Sequence, residues 1–369
     1  TREPIKGFPE LRWTGKRPFK STMYFPAQLK ESYGTDKDGW MNKIFWGDNL
    51  QVMSHMLKEF RGKIDLIYID PPFDSKADYK KKVKVKEKGT TFSDISSFEE
   101  KQYGDIWTND EYLQFMYERF ILLKELLSDT GCIYIHCDWH KVHHLRMVLD
   151  EVFGPDNFRN EIVWWYLWGG RGKTQWNSKH DNILFYSKGS SWTFNYMDVL
   201  DEHTLMTEGS KNRLNYAGAM VTTKSESSEI PEDKVLPSDT WYIATINAMA
   251  KEKENYPTQK PEDLLKKIIL ASSNPGDIVF DCFMGSGTTQ AVAMKLGRRF
   301  IGADINLGAI QTTTKRLIGI ANELNPTLDG DTKYTGFEVY NVNNYDFFRN
   351  PVEARDLIIS ALEIEKTVN

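Results

Sequence analysis

Apolar residues in this chain follow two alternating rhythms. Ile44-Phe45-Trp46 is a short apolar run ending at Gly47-Asp48-Asn49, and Leu50 to Phe60 then sets Met53, Met56, Leu57 and Phe60 at helical spacing. Ile64 to Ile69 is nearly continuous in apolar character, as a strand covered on both faces should be. It stops at Asp70-Pro71-Pro72-Phe73, where two prolines cannot extend a ladder. A capping box, Thr108 with Glu111, predicts a helix to about Ser128 that stops near Gly131. Cys132 to His136 reads as a strand, and Asp138 as the cap of a helix from His140 to Phe153 that Gly154-Pro155 terminates. Two aromatic-rich segments follow, Ile162 to Trp168 and Ile183 to Tyr186. Further on, Pro261 opens a helix (Glu262 to Ala271), Asp277 to Phe280 is a strand, and Gly285-Ser286-Gly287 leads into another helix. Arg299 to Ala303 is the next strand, ending at Asp304, before a helix from about Leu307 to Leu324. Strands alternating with helices of this length predict an α/β fold with a mostly parallel sheet and helices on both faces.

The remaining stretches lack that rhythm. Residues up to about 40 carry Pro4, Pro9, Pro18 and Pro26 and read as an irregular leader; residues 74–107 read as a loop with a lysine run between Lys76 and Lys88. Residues 190–255 show little periodicity and read as an insertion. The tail holds Phe337 to Val342 and an amphipathic stretch near Ala354 to Ile364, and stops as though leading into a further domain. A length of 369 residues fits two domains or one large one with insertions. With 47 basic and 52 acidic side chains the net charge is −5, so any nucleic-acid surface must be a local patch. No apolar run reaches the roughly 20 residues of a membrane span, and the amino terminus has no signal-peptide character. Three cysteines (Cys132, Cys137, Cys282) suit a reducing cytoplasm.

Two short motifs carry candidate chemistry. In Asp281-Cys282-Phe283-Met284-Gly285-Ser286-Gly287-Thr288, a strand feeds a tight glycine turn that opens a helix, with the acid Asp304 ending the next strand. Glycines let backbone approach a ligand, and such an acid suits ribose hydroxyls; two glycines do not complete the dinucleotide fingerprint, and a plain tight turn reads equally well. The second motif, Asp70-Pro71-Pro72-Phe73, ends a buried strand, where open α/β sheets place their ligands. The Asp70 carboxylate and Pro71 carbonyl would set two acceptors side by side, suited to an exocyclic amino group, and Phe73 offers a face for stacking a base.

Together these motifs resemble the amino-methylating DNA methyltransferases, above all their β group, including the modification subunits of type III restriction systems. The family's catalytic D-P-P-[YF] is Asp70 to Phe73 here, and its F-x-G-x-G turn is Phe283 to Gly287. Further matches are Gly47-Asp48-Asn49-Leu50, His180 to Lys188, and Tyr256-Pro257-Thr258-Gln259-Lys260-Pro261. The catalytic half precedes the cofactor half, the permuted order of that group. Phe73 stands where many members have Tyr, which keeps stacking and loses a hydroxyl.

The resemblance implies a Rossmann-like fold dependent on S-adenosylmethionine. It divides the chain into a leader (1–41), a catalytic half (42–189), a target-recognition insertion (190–255), a cofactor half (256–325) and an extension (326–369). It implies that Asp281, Phe283 and Gly285-Ser286-Gly287-Thr288 hold the methionine part, that Asp304 takes the ribose hydroxyls, that Asp48 lies near the adenine, and that Thr258 and Lys260 border the cofactor carboxylate. The implied substrate is adenine N6 in double-stranded DNA, flipped from the duplex, and the implied partners are restriction or specificity subunits and a second copy in a homodimer. Cytosine N4 is the alternative target, and a non-catalytic DNA-binding subunit the alternative class. For DNA contacts the candidates are the lysine run 76–88, against a solvated loop, and the interleaved Trp164, Trp165, Trp168, Arg171, Lys173, Trp176 and Lys179, of which much of the Trp cluster reads as core. His136, Cys137, His140, His143 and His144 look like metal ligands, but no second ligand pair follows at finger spacing, so no metal site is assigned.

Overall fold

The computed structural model describes residues 10–19, 22, 24–72, 109–167, 172–174, 176–202, 230–231, 234–247, 250, 252–254, 256, 258–324 and 333–342. Phe73, the lysine run 76–88, Thr108, Trp168, Arg171 and the stretch 354–364 lie outside them. The strands are β1 (Gln28–Tyr33), β2 (Asn42–Trp46), β3 (Ile64–Ile69), β4 (Leu127–Cys137), β5 (Phe158–Trp165), β6 (His180–Ser187), β7 (Asp201–Glu202), β8 (Lys234–Val235), β9 (Thr240–Tyr242), β10 (Ile278–Asp281), β11 (Arg299–Asp304) and β12 (Phe337–Asn341). The helices are α1 (Asn49–Phe60), α2 (Asn109–Leu126), α3 (Val142–Phe153), α4 (Glu262–Ser272), α5 (Thr288–Lys295) and α6 (Leu307–Glu323).

Ten of these strands form one sheet in the order β1-β12-β2-β11-β10-β3-β4-β6-β5-β9. The six from β12 to β4 run parallel, and β6 turns antiparallel against β4. Successive side chains along a strand point to opposite faces, so each parallel strand feeds two cores. Ile67 and Ile69 of β3 pack with Met53 and Met56 of α1 and Leu123 of α2. Leu66 and Tyr68 of the same strand pack with Leu264 and Ile268 of α4 and Ala291 of α5. This double coverage is why the parallel strands read as unbroken apolar runs.

Three boundaries differ from the sequence reading. Gly131 does not stop a helix: α2 ends at Leu126, and Leu127 already pairs with Ile64. β4 bulges there, since Leu66 pairs with Cys132 and the residues between outnumber those on β3. Asp138 does not cap α3, which starts at Val142; its carboxylate accepts from the His140 backbone N–H at 3.1 Å and lies 2.6 Å from His140 Nδ1. Nor is the leader wholly irregular, for β1 lies within it and closes the sheet edge against β12. Within 190–255, β9 joins the main sheet beside β5. Among the described residues no helix is long and apolar enough to cross a membrane.

Candidate active site

Parallel strands bring their carboxyl ends to one edge, and here β2, β11, β10 and β3 each deliver an aspartate at or just past that end. Asp304 ends β11 in register with Trp46, two residues before Asp48; Asp281 ends β10 in register with Gly302. β10 is hydrogen-bonded to β3 with Phe280 opposite Ile67, so Asp70, three residues past Ile67, emerges beside Asp281. The proline motif and the glycine motif are therefore neighbours on adjacent strands.

The glycine turn is built on two of these carboxylates. Asp281 Oδ1 accepts from the Phe283 amide at 3.0 Å, and Oδ2 from the Thr289 hydroxyl at 2.6 Å. Asp304 Oδ2 accepts from the Gly285 amide at 2.9 Å, and Oδ1 from the Asn306 amide at 2.8 Å. Gly285 and Gly287 both have positive φ, +53° and +72°, which disfavours any side chain. A Cβ on Gly287 would fall 2.4 Å from Thr313 Cγ2, and one on Gly285 would fall 3.3 Å from the Tyr256 ring. Burial pushes the Asp281 carboxyl up to about 7; its two hydrogen bonds oppose this, and the charges of Asp70 and Asp304 add to it. Burial likewise raises Asp304 above the usual carboxylate range, against three backbone hydrogen bonds.

Beside the turn, the Lys260 ammonium donates to Asp70 Oδ2. Tyr68, two residues before Asp70, is fully buried, and its hydroxyl lies 3.0 Å from Nδ1 of buried His136. His136 Nε2 lies 3.2 Å from Asp181 Oδ2, and the Tyr166 hydroxyl donates to Asp181 Oδ1 at 3.3 Å. The carboxylate accepts, so His136 donates to it from Nε2, and Nδ1 is the ring nitrogen that meets the Tyr68 hydroxyl. Burial pushes Asp181 up, but the bond and charge of His136, with the charge of Lys260, prevail and hold it below the usual carboxylate range. Burial, then the charges of Asp70, Asp281 and Asp181, raises the Tyr68 hydroxyl far above its usual range. Burial also raises Tyr256, with Asp304 and Asp70 adding to it, so this ring spans the two motifs.

A family model described as DNA methylase, for N6 and N4 methyltransferases, matches residues 64–315, which take in both motifs. The chain belongs to this family. It is 30% identical over 276 residues to the DNA adenine methyltransferase YhdJ of Escherichia coli, covering 74% of this chain and 82% of that one. It is 33% identical to the Type II methyltransferase M1.MboII of Moraxella bovis, covering 66% of this chain and 85% of that one. The crystal structure of the M1.HpyAVI–SAM complex aligns with a TM-score of 0.47 and 22% identity over 74% of this chain and 98% of that chain.

Of the residues expected to serve this methylase, the fold gathers Asp48, Asp70, Pro71, Pro72, Lys260, Asp281, Phe283, Gly285, Ser286, Gly287, Thr288 and Asp304 at one edge of the sheet. Their environments differ from expectation in several places. Asp281 is only 2% exposed with both oxygens bonded inward, so it braces the turn from beneath. Lys260 reaches the Asp70 carboxylate. Asp48 caps α1 by accepting from the Leu50 amide at 2.9 Å, and its other oxygen takes the buried Arg119 guanidinium at 3.1 Å. Ser286 and Thr288 are buried, and Arg316 donates to the Ser286 carbonyl and the Thr288 hydroxyl while pairing with Glu262 at 2.8 Å. Phe283 packs towards Phe115, and Thr258 is exposed. Trp164 is buried while Trp165 and Trp176 are exposed, so the tryptophan cluster divides between core and surface. A cavity of about 490 Å³ lies towards the β1 edge, lined by Tyr33, Trp46, Leu307, Ile310 and Tyr340 among others and by none of the expected site residues.

Sequence reasoning gave no role to Tyr68, His136, Asp181, Tyr256 or Arg119. The signal was present for two of them: Asp181 and Tyr256 stand inside family motifs quoted for their pattern alone. Tyr68 reads as an ordinary strand residue and His136 only as part of the histidine cluster to which no metal is assigned, because only the pairing of β3 with β4 brings their polar ends together.

Proposed function

We propose that this chain is a site-specific DNA methyltransferase that moves the methyl group of S-adenosylmethionine to N6 of an adenine flipped out of the duplex. The observation that carries this reading is the juxtaposition of Asp70-Pro71 with the Gly285–Gly287 turn on neighbouring strands. The chemistry of the edge suits the donor. Asp70 and Asp304 stand there with the Lys260 ammonium, so carboxylates outnumber the one cation, and the left-handed glycines keep side chains off the approach. The relative YhdJ is named for adenine, and the tetrapeptide begins with Asp, as expected for that base.

S-adenosylmethionine supplies an electrophilic methyl on a positively charged sulfur. The protein's part is to make a poor nucleophile competent, because the lone pair of an aromatic amine is delocalised into its ring. Asp70 Oδ1 and the Pro71 carbonyl accept the two amino hydrogens and favour a pyramidal nitrogen. Lys260 on Oδ2 fixes the rotation of the carboxylate that must do so. The carboxylate also opposes the positive charge that develops on nitrogen, and transfer needs orientation and preorganised charge with no covalent enzyme intermediate. Phe73 replaces part of the stacking that the extruded base loses.

In this reading residues 42–189 supply the catalytic half, 190–255 target recognition and 256–325 the cofactor half, with Thr258 bordering the cofactor. The enzyme works in the cytoplasm, as a homodimer or with restriction subunits. Asp70→Ala is expected to abolish transfer of radiolabelled methyl to DNA while cofactor binding by calorimetry survives; persistent transfer defeats the assignment. Sequencing methylated plasmid for modified bases gives the site, and mass analysis of its nucleosides separates N6-methyladenine from N4-methylcytosine.

A further inference from the structure

β4 is the direct neighbour of β3 on the side away from β10, and its carboxyl end runs into the turn Asp138-Trp139-His140. Ile135 pairs with Ile69, so this turn rises beside Asp70-Pro71. Trp139 is 49% exposed there, although an indole ring is among the side chains that gain most from burial. Its ring stacks on His140 with centroids 3.5 Å apart. Asp138 holds His140 through the backbone N–H at 3.1 Å and Nδ1 at 2.6 Å, and the Asp138 side chain is itself mostly covered. The indole is therefore a braced flat plate on the rim of the sheet beside Asp70-Pro71.

We propose that Trp139 enters the DNA duplex and fills the space that the target base leaves. This rests on the methylation reading above. Strands in a sheet lie about 4.8 Å apart, so the rim of β4 is about one spacing from Asp70. The other exposed rings on this edge belong to strands further along: Trp165, against Tyr242 at 4.5 Å, ends β5 and β9, about three and four spacings from β3, and Trp176 lies in the connection between β5 and β6, strands about three and two spacings away. A base swung into the Asp70 pocket vacates a slot directly beside it, and only Trp139 of these exposed rings stands there. The same rim carries exposed Lys173 and partly exposed Lys179, so the surface continuing from the pocket suits a phosphate backbone. The carboxylate nearest the plate, Asp138, is turned to His140 and does not oppose it. Opening a duplex is costly because a base must unstack, and a ring that restacks on the bereft neighbours recovers part of that cost.

The test uses the full-length protein and oligonucleotide duplexes carrying its site, with the target adenine either correctly paired or opposite a mismatched base that weakens its stacking. Trp139→Ala is expected to lower kcat/KM on the paired duplex by about 5- to 150-fold, the loss of one base–aromatic stack. On the mispaired duplex the loss should be several times smaller, because less has to be replaced, and Trp139→Phe should recover most of the activity on both. Cofactor binding by calorimetry confirms that each variant is folded. Equal losses on the two duplexes, or no loss on either, overturn the proposal; a variant that does not bind cofactor is replaced by Trp139→Leu and judged by the same ratio. If the wild-type protein methylates neither duplex, the methylation reading fails instead.

Discussion

The Lys260 ammonium meets the Asp70 carboxylate across 190 positions of sequence. The pair joins the segment before α4 to the end of β3, and both side chains are largely covered, at 14% and 19% exposure. A contact so placed acts on the residue proposed to hold the target nitrogen. Lys260→Ala is therefore expected to lower kcat by about 100-fold, the cost of a misplaced reacting group, while the dissociation constant for S-adenosylmethionine stays close to wild type. Lys260→Arg should recover part of the rate. Weakened cofactor binding with unchanged kcat would return Lys260 to the cofactor-bordering role that the resemblance implies.

Gly287 and Gly297 separate backbone strain from crowding. Their φ values are nearly equal, +72° and +71°, but a Cβ on Gly297 meets nothing within 4 Å, whereas on Gly287 it would strike Thr313. Gly297→Ala should cost about 1 kcal/mol for the left-handed conformation alone. Gly287→Ala should cost about 1–3 kcal/mol more for the overlap. Urea unfolding of the two variants measures the difference, and equal midpoints would show that Thr313 yields without penalty.

Asp281 should make stability depend on pH. Folded, it keeps its proton up to about 7, while the unfolded chain releases it near 3.9. Between those values the folded state binds more protons, so the contribution of this residue falls as pH rises from about 4 to about 7 and is level above. Chemical denaturation of wild type and Asp281→Asn at pH 5, 6, 7 and 8 isolates it. The stability difference, wild type minus variant, should decline to pH 7 and then flatten; a constant difference would mean that Asp281 is ionised throughout.

Asp48 serves α1 and α2 at once. Asp48→Ala removes the cap, worth about 1 kcal/mol, and takes the ionic partner from a guanidinium only 4% exposed, so a total near 2 kcal/mol or more is expected by thermal unfolding. Asp48→Asn keeps an acceptor for the Leu50 amide and should cost less.

The central strands were legible because a strand enclosed on both faces leaves an unbroken apolar run: Ile64–Ile69 matches β3 end for end. Aspartates at strand ends were legible for the same reason, since each marks where apolar character stops. Lys260 was legible only as a motif member, because nothing local says which carboxylate a long side chain will reach. The bulge in β4 was hidden, as Ser128 to Gly131 carries the composition of a loop while its ends pair with β3. β1 was hidden too: an exposed edge strand has few apolar residues to announce it.

The strand order sets a condition on how this molecule is made. β2 lies between β11 and β12, so its backbone finds no partner in the sheet until residues 299–304 have left the ribosome, and no second one until 337–341 follow. At about 5–20 residues per second, that leaves the β2 segment waiting for some tens of seconds with its N–H and C=O groups open to solvent or to other chains. The half of the sheet built around β2 therefore closes only through contacts distant in sequence, the kind that slow folding and leave a strand edge open in the meantime.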